Sequence, residues 1–210
     1  MLNNSLTRSI SSVLLGGTIV FLLIKFNYFY KILFSILLVF MLIEWFNINK
    51  NKNTLLFYCG ILYISFPILY LIKSQFFHSA SILFLFSIVW SCDTFAYIGG
   101  KLIGGPKFSP KISPNKTWSG VICGCVISFI VSFVYVKYVW PVWHESRLIL
   151  WFIPLFVISS ILGDLIESKV KRILGVKDTG NIIPGHGGVL DRFDSFLLTT
   201  YIYIIYIWIN

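Results

Sequence analysis

Long apolar stretches, each close to or above the length needed to cross a lipid bilayer, follow one another along this chain. Seven can be identified, at residues 9–24, 28–48, 54–72, 79–100, 118–139, 148–166 and 195–209. A membrane-spanning helix needs about 17–25 mostly apolar residues. Only 12% of the 210 residues are charged, whereas a soluble domain carries about 25%. The sequence therefore predicts an all-α, polytopic integral membrane helical bundle in which residues 1–210 form a single transmembrane domain.

Lysine and arginine are unevenly distributed between the two sides of such a bundle. If the N-terminus is cytoplasmic, 12 of the 17 basic residues lie on the cytoplasmic side, as the positive-inside rule requires. The two long polar loops, 101–117 and 167–194, then lie on that same side. We therefore expect a multi-pass protein of the plasma or inner membrane, in which a site built on these two loops, such as an active site, would face the cytoplasm.

Acidic residues are concentrated near the C-terminal end. Five of the eight Asp and Glu residues lie between Asp164 and Asp194. The spacing of Asp164, Glu167, Ser168 and Lys171 puts them on one helix face. Asp191 and Asp194 form a second pair, three residues apart. Because carboxylate oxygens suit Mg²⁺, the two acidic pairs could converge on one divalent cation.

Asp93 and Asp164 each interrupt an apolar stretch near its predicted cytoplasmic end. A carboxylate costs about 2.5–3.5 kcal/mol at the centre of a membrane helix, and less near the interface. Two interpretations remain open for each residue. The structural one is pairing with a Lys or Arg from a neighbouring helix, and the functional one is a cation or proton site.

A glycine-rich turn, Ile-Pro-Gly-His-Gly-Gly at residues 183–188, lies between the acidic pairs. Its glycines allow the backbone to turn sharply and to point N–H groups at an anion. Positive charge surrounds the turn in the sequence, from Lys169, Lys171, Arg172, Lys177 and Arg192. His186 could donate to a phosphate, act as an acid or base, or be a hydrogen-bonded turn residue. Acids, amides and cations together indicate phosphoryl or nucleotidyl transfer.

The other polar loop is basic and contains no acid. Residues 99–120 include four lysines, three prolines and the run Ser113-Pro-Asn-Lys-Thr117. Such a loop can be only a topology signal near anionic lipid. The prolines instead favour a fixed conformation that contacts a phosphate or lipid head group. A P-loop is excluded, because Lys116-Thr117 lacks the preceding glycine pattern.

With these residues in view, the chain resembles the phosphatidate cytidylyltransferase family. The run from Ser168 to Asp194 is similar to the family signature S-x-x-K-R, K-D-x-G and P-G-H-G-G-x-x-D-R-x-D. The runs Asp93–Lys101 and Ser113–Gly120 agree as well. The resemblance implies that a phosphatidate phosphate attacks the α-phosphorus of CTP, that pyrophosphate leaves and that CDP-diacylglycerol forms for phospholipid synthesis.

The resemblance also implies residue roles. Asp164 and Asp191 would bind Mg²⁺, with the identity of any second cation left open. The implied catalytic residues are Asp164, Asp191, Asp194, Lys171, Arg172 and His186. The implied substrate-binding residues are Ser168, Lys177, Asp178, Gly185, Gly187, Gly188, Arg192, Lys111, Lys116, Thr117 and Asp93. The partners are CTP, phosphatidate and the lipid bilayer, without nucleic acid, and the family suggests a homodimer.

Two alternatives remain open at this point. A CTP-dependent polyprenol kinase would use related chemistry but would transfer the γ-phosphate and release CDP. A cation transporter would explain Asp93 and Asp164, but it predicts acids near the bilayer midplane and often inverted repeats. A CDP-alcohol phosphotransferase is excluded, because its D-G-x₂-A-R motif is missing from the sequence.

The predicted topology can be tested at the C-terminus. Seven spans that begin in the cytoplasm place Asn210 on the external side. A reporter enzyme fused after Asn210 should therefore be active only outside the cytoplasm. A cytoplasmic signal from the same fusion would contradict the count of seven spans.

Overall fold

The computed structural model describes residues 29–49, 54–74, 79–139, 148–182 and 187–210, with four further residues between 17 and 25. These parts of the chain contain α1 (Phe29–Asn49), α2 (Thr54–Lys73), α3 (Ser79–Ile103), β1 (Lys107–Ser109), β2 (Ser113–Thr117), α4 (Trp118–Val134), α5 (Leu148–Ile173) and α6 (Leu190–Ile209). A π-helical turn, Tyr135–Val139, continues α4. The helices match six of the seven predicted apolar stretches, so the helical membrane class is confirmed.

Five of these helices, α1 to α5, are long and apolar enough to cross a membrane. The last predicted span is a helix too, but α6 begins with the charged residues Asp191, Arg192 and Asp194 and is not among the five. The first predicted span, 9–24, lies largely outside the described residues. Five candidate spans are therefore established, while the total of seven and the cytoplasmic N-terminus stay predictions.

The basic loop contains a short antiparallel hairpin that the sequence did not predict. In β1 and β2, Lys107 pairs with Thr117 and Ser109 pairs with Ser113, with an irregularity between them. Gly104 and Gly105 precede the hairpin with φ angles of +68° and +103°, a region that L-residues rarely adopt. The expectation of a defined loop conformation is thus met by two strands.

The chain divides into two compact units. Residues Met1–Leu83 and Ile173–Phe193 form the first unit, and residues Phe84–Arg172 and Asp194–Asn210 form the second. The single transmembrane domain inferred from the sequence stays a prediction.

In the first unit, α1 and α2 pack through an indole ring. Trp45 Nε1 donates a hydrogen bond to the Phe57 carbonyl oxygen at 3.0 Å. Gly60 faces the same ring so closely that a Cβ atom there would overlap it. Phe46 and Phe57 add an edge-to-face contact with ring centroids 4.9 Å apart. A small residue therefore allows a large aromatic one to lie between two helices.

In the second unit, small residues bring α3 and α4 together. Ser128 Oγ donates to the Ile88 carbonyl at 2.8 Å, and Gly124 faces the backbone of Cys92. Helices in a bilayer gain little from hydrophobic association, so close packing and interhelical hydrogen bonds replace it. The pair α5 and α6 follows the same rule, because Gly163 lies against the backbone of Asp194 and Ser195.

Gly124→Val should destabilise the protein. A Cβ atom at this position would lie 2.8 Å from the Cys92 carbonyl oxygen, and a helix backbone cannot easily move away. Overpacking of this kind costs about 1–3 kcal/mol, so the midpoint of thermal unfolding in detergent should fall. Ile122→Val, at an exposed position on the same helix, is the matched control. An equal effect of both variants would contradict the close packing.

Candidate active site

Two predicted site residues from distant parts of the chain meet in the second unit. Lys116, near the end of β2, forms an ion pair with Asp164 of α5, with Nζ 2.5 Å from Oδ2. Both side chains are partly exposed, at 23% and 26%. Ser168, one turn further along α5, donates to Asp164 Oδ1 at 3.1 Å. Lys116 of the basic loop and Asp164, which precedes the signature run, are therefore in direct contact.

This ion pair corresponds to the structural interpretation of Asp164, that of an intramembrane acid paired with a basic residue. The partner comes from the basic hairpin and not from a neighbouring helix. The pairing is compatible with function, because a lysine held beside a carboxylate can also contact a phosphate. Nothing in the position of Lys116 in the sequence indicated that its partner would be Asp164.

A second pair lies one turn along the same helix. Lys171 Nζ is 3.3 Å from Glu167 Oε2, and Glu167 is buried. Asp194, which precedes the apolar stretch of α6, is close to these acids. Its removal from water raises the pKa of its carboxyl to about 6, and the Asp164 carboxylate acts in the same direction. The predicted face of Asp164, Glu167, Ser168 and Lys171 is therefore confirmed as a connected group.

Thr117 has a structural task in the described conformation. Its hydroxyl accepts a hydrogen bond from the Gly120 amide at 3.2 Å and so caps the N-terminus of α4. Ser119 Oγ lies 3.0 Å from the same hydroxyl and donates to the Gly104 carbonyl. These contacts join the start of α4 to the hairpin. A contact between Thr117 and a substrate phosphate stays a prediction.

In the first unit, Asp191 accepts hydrogen bonds from a residue that precedes the glycine-rich turn and from the last glycine of the turn. Its Oδ2 accepts hydrogen bonds from the Thr179 amide at 2.9 Å and from the Gly188 amide at 2.8 Å. Gly187 has a φ angle of +87°, which favours glycine. The Gly188 amide, predicted to face a phosphate, is thus directed at a carboxylate of the protein.

Glu44 is a site component that the sequence interpretation missed. It lies on α1 and is only 2% exposed. Oε1 accepts from the Val189 amide at 2.8 Å, while Oε2 accepts from the Leu190 amide at 2.9 Å and from Thr179 Oγ1 at 3.3 Å. The available signal was an isolated acid within an apolar stretch, the same signal that drew attention to Asp93 and Asp164.

Among the remaining predicted residues, Asp178 lies beside Gly187, where an added Cβ atom would be 3.5 Å from Asp178 Cβ and 2.9 Å from Asp191 Oδ2. The exposed ones are Asp93, Lys111, Arg172, Lys177, Asp178 and Arg192. Asp93 lies on α3 and Lys111 lies in the turn of the hairpin. Gly185 and His186 lie outside the described residues. Their predicted roles therefore stay predictions.

The donor chemistry fits a magnesium ion. Asp164 and Ser168 present a carboxylate and a hydroxyl side by side, and oxygen ligands of this kind suit Mg²⁺. Among the described residues, no group of three His, Cys, Asp or Glu side chains is placed to bind a metal ion together. Mg²⁺ does not need one, since it commonly binds one or two carboxylates, waters and substrate phosphates. Binding of one ion by Asp164 and Asp191 together stays a prediction.

The capping role of Thr117 can be separated from substrate contact. Thr117→Val removes the hydroxyl but keeps the shape, and loss of a helix N-cap costs about 0.5–2 kcal/mol. The ligand-free variant should therefore unfold at a lower temperature in detergent. Thr117→Ser retains the capping oxygen and should stay close to the wild-type midpoint. An unchanged midpoint for Thr117→Val would contradict the capping role.

Comparison with known proteins gives matches over most of the chain. The sequence model described as the cytidylyltransferase family matches residues 50–210. The phosphatidate cytidylyltransferase of Rickettsia bellii is 38% identical over 204 residues, which are 94% of this chain and 88% of that protein. That of Rickettsia typhi is 40% identical over 208 residues, 93% of this chain and 89% of that protein.

A relative from another bacterial genus agrees. The phosphatidate cytidylyltransferase of Staphylococcus saprophyticus is 41% identical over 166 residues, which are 75% of this chain and 62% of that protein. The region that the family model matches, residues 50–210, contains the basic hairpin, α5 and the glycine-rich turn. The chain therefore belongs to the cytidylyltransferase family, as its signature from Ser168 to Asp194 predicted.

Proposed function

We propose that this protein transfers the cytidylyl group of CTP to phosphatidate, producing CDP-diacylglycerol and pyrophosphate. The relatives carry the name of this activity. The observation that carries the proposal in the structure is the ion pair between Lys116 and Asp164. It brings a basic, proline-rich loop to an acidic helix face, and this combination of charges suits a reaction between two phosphates.

The reaction requires one bond to form and one to break. A phosphate oxygen of phosphatidate attacks the α-phosphorus of CTP, and the bond from that phosphorus to the bridging oxygen of the β-phosphate breaks. Pyrophosphate leaves with that oxygen. The nucleophile is already ionised at neutral pH, so the step needs charge neutralisation and alignment more than a general base.

Basic residues of the chain supply that neutralisation in this proposal. Lys116 and Lys111 of the hairpin contact a substrate phosphate, and Lys171 and Arg172 lie at the end of α5 beside the acidic face. Lys177, His186 and Arg192 add charge around the glycine-rich turn. Arginine and lysine aimed at developing charge are the usual means of stabilising phosphoryl-type transition states.

Magnesium is the proposed cofactor, held by Asp164 and Asp191. When bound, it supplies positive charge that offsets the phosphate oxygens of CTP. Ser168 and Asp194 support the acidic face from the protein side. The active site on the cytoplasmic side of the membrane and the homodimer belong to the same proposal.

The alternatives receive less support. A cation transporter does not explain why Asp164 is paired with a lysine of the protein itself. A polyprenol kinase shares the need for CTP and Mg²⁺, but no feature of the site among the described residues is specific to γ-phosphate transfer. The signature residues and the relatives favour attack at the α-phosphorus.

Lys116→Gln should sharply reduce turnover. Purified wild-type protein with Mg²⁺, phosphatidate in mixed micelles and CTP should form a CDP-lipid and release pyrophosphate. Removing one group that stabilises a transition state costs about 10²–10³-fold in rate, and we expect Lys116→Gln and Asp164→Asn to fall in that range. Product formation is measured by chromatography of the lipid.

Lys107→Gln is the matched control, because it removes the same charge from an exposed position on the same hairpin. It should retain near wild-type turnover. Equal losses for Lys107→Gln and Lys116→Gln would show that only the net charge of the loop matters. Unreacted CTP in the presence of folded wild-type protein would contradict the proposed function itself.

A further inference from the structure

We propose that Glu44 is a positioning residue for the reaction, acting through the backbone of the glycine-rich turn. This inference rests on the proposed function. Glu44 is separated by more than 130 residues from the three groups that donate to it, Thr179, Val189 and Leu190. Thr179 precedes the turn, and Val189 and Leu190 follow it. One carboxylate therefore joins the segment before the turn to the segment after it, and these two segments are the arms of the turn.

Two glycines of the signature, Gly180 and Gly188, lie against this carboxylate. A Cβ atom at Gly180 would lie 2.7 Å from Glu44 Oε1, and one at Gly188 would lie 2.6 Å from Oε2. Neither glycine has a positive φ angle, so conformational freedom does not explain them. The space taken by the Glu44 carboxylate, and at Gly188 also by Thr179 Oγ1, explains them. Two glycines of the signature therefore serve the contact with α1.

Asp191 depends on the same two arms. Its Oδ2 accepts the amides of Thr179 and Gly188, which are adjacent to groups that Glu44 holds. A change in the separation of the arms would therefore change the orientation of the Asp191 carboxylate. Residues that orient a metal ligand without touching the metal usually change metal affinity or activity when they are replaced. Glu44 has this relation to Asp191.

Burial makes the contact sensitive to small changes. A buried carboxylate is tolerated where several donors surround it, and both oxygens of Glu44 are used. The Val189 and Leu190 amides also lie at the positive end of α6, which favours a negative partner. Glu44→Gln keeps the size of the side chain but turns an NH₂ group toward a backbone N–H donor. The arms should then separate.

Two variants and one control test the proposal. Glu44→Gln alters the acceptor, and Gly180→Ala keeps the carboxylate but displaces it sterically. Trp45→Phe changes the next residue of α1, whose hydrogen bond goes to Phe57 and not to the turn. If one of the first two variants does not fold, the other still tests the contact, because they perturb it from opposite sides.

The primary measurement is thermal stabilisation by Mg²⁺ at fixed CTP, which does not require turnover. In Glu44→Gln and Gly180→Ala, the Mg²⁺ concentration for half-maximal stabilisation should rise about 10–100-fold. The Mg²⁺ concentration for half-maximal activity should rise in parallel. Trp45→Phe should lower the unfolding midpoint but leave both Mg²⁺ concentrations unchanged. Hydrogen exchange at Val189 and Leu190 should accelerate in the first two variants only.

An unchanged Mg²⁺ requirement in folded Glu44→Gln would overturn the proposal, as would an equal rise in Trp45→Phe. The absence of any Mg²⁺-dependent stabilisation in wild-type protein would overturn it as well. Failure of wild-type protein to form a CDP-lipid is a different result. It would contradict the proposed function, while the stabilisation and exchange measurements would still decide whether Glu44 orients the turn.

Discussion

A carboxylate within a membrane protein must be surrounded by donors, and this constraint organises the described parts of the chain. Glu44 and Asp191 accept backbone and hydroxyl hydrogen bonds in the first unit, and Asp164 accepts from Lys116 and Ser168 in the second. Glu44 and Asp164 therefore join segments that are distant in sequence, and Asp191 joins residues on both sides of the glycine-rich turn. The residues that satisfy a buried charge are the same ones that bring the signature motifs into place.

Small residues make these contacts possible. Glycines at positions 180 and 188 leave room for the Glu44 carboxylate, and Gly163 lets α5 approach the start of α6. Thr117 is the last residue of β2, and its hydroxyl caps the N-terminus of α4. Helix packing and site geometry thus use the same elements, so a substitution made for one will often affect the other.

Helix positions could be predicted from the sequence because a bilayer imposes a minimum apolar length. The face shared by Asp164, Glu167, Ser168 and Lys171 could be predicted because helical periodicity is local. The role of Glu44 could not, since its partners are backbone amides far along the chain and backbone amides leave no mark in a sequence. The Lys116–Asp164 ion pair could not be predicted either, because local spacing says nothing about two residues so far apart in the chain. The hairpin that contains Lys116 also depends on two glycine φ angles.

The central claim is that a phosphate oxygen of the lipid attacks the α-phosphorus of CTP in a reaction that this protein catalyses. CTP labelled at the α-phosphate in one reaction and at the γ-phosphate in another tests this directly. With phosphatidate and Mg²⁺, the α-label should appear in the lipid product and the γ-label in pyrophosphate. Transfer of the γ-label to lipid would identify a kinase and would contradict this account.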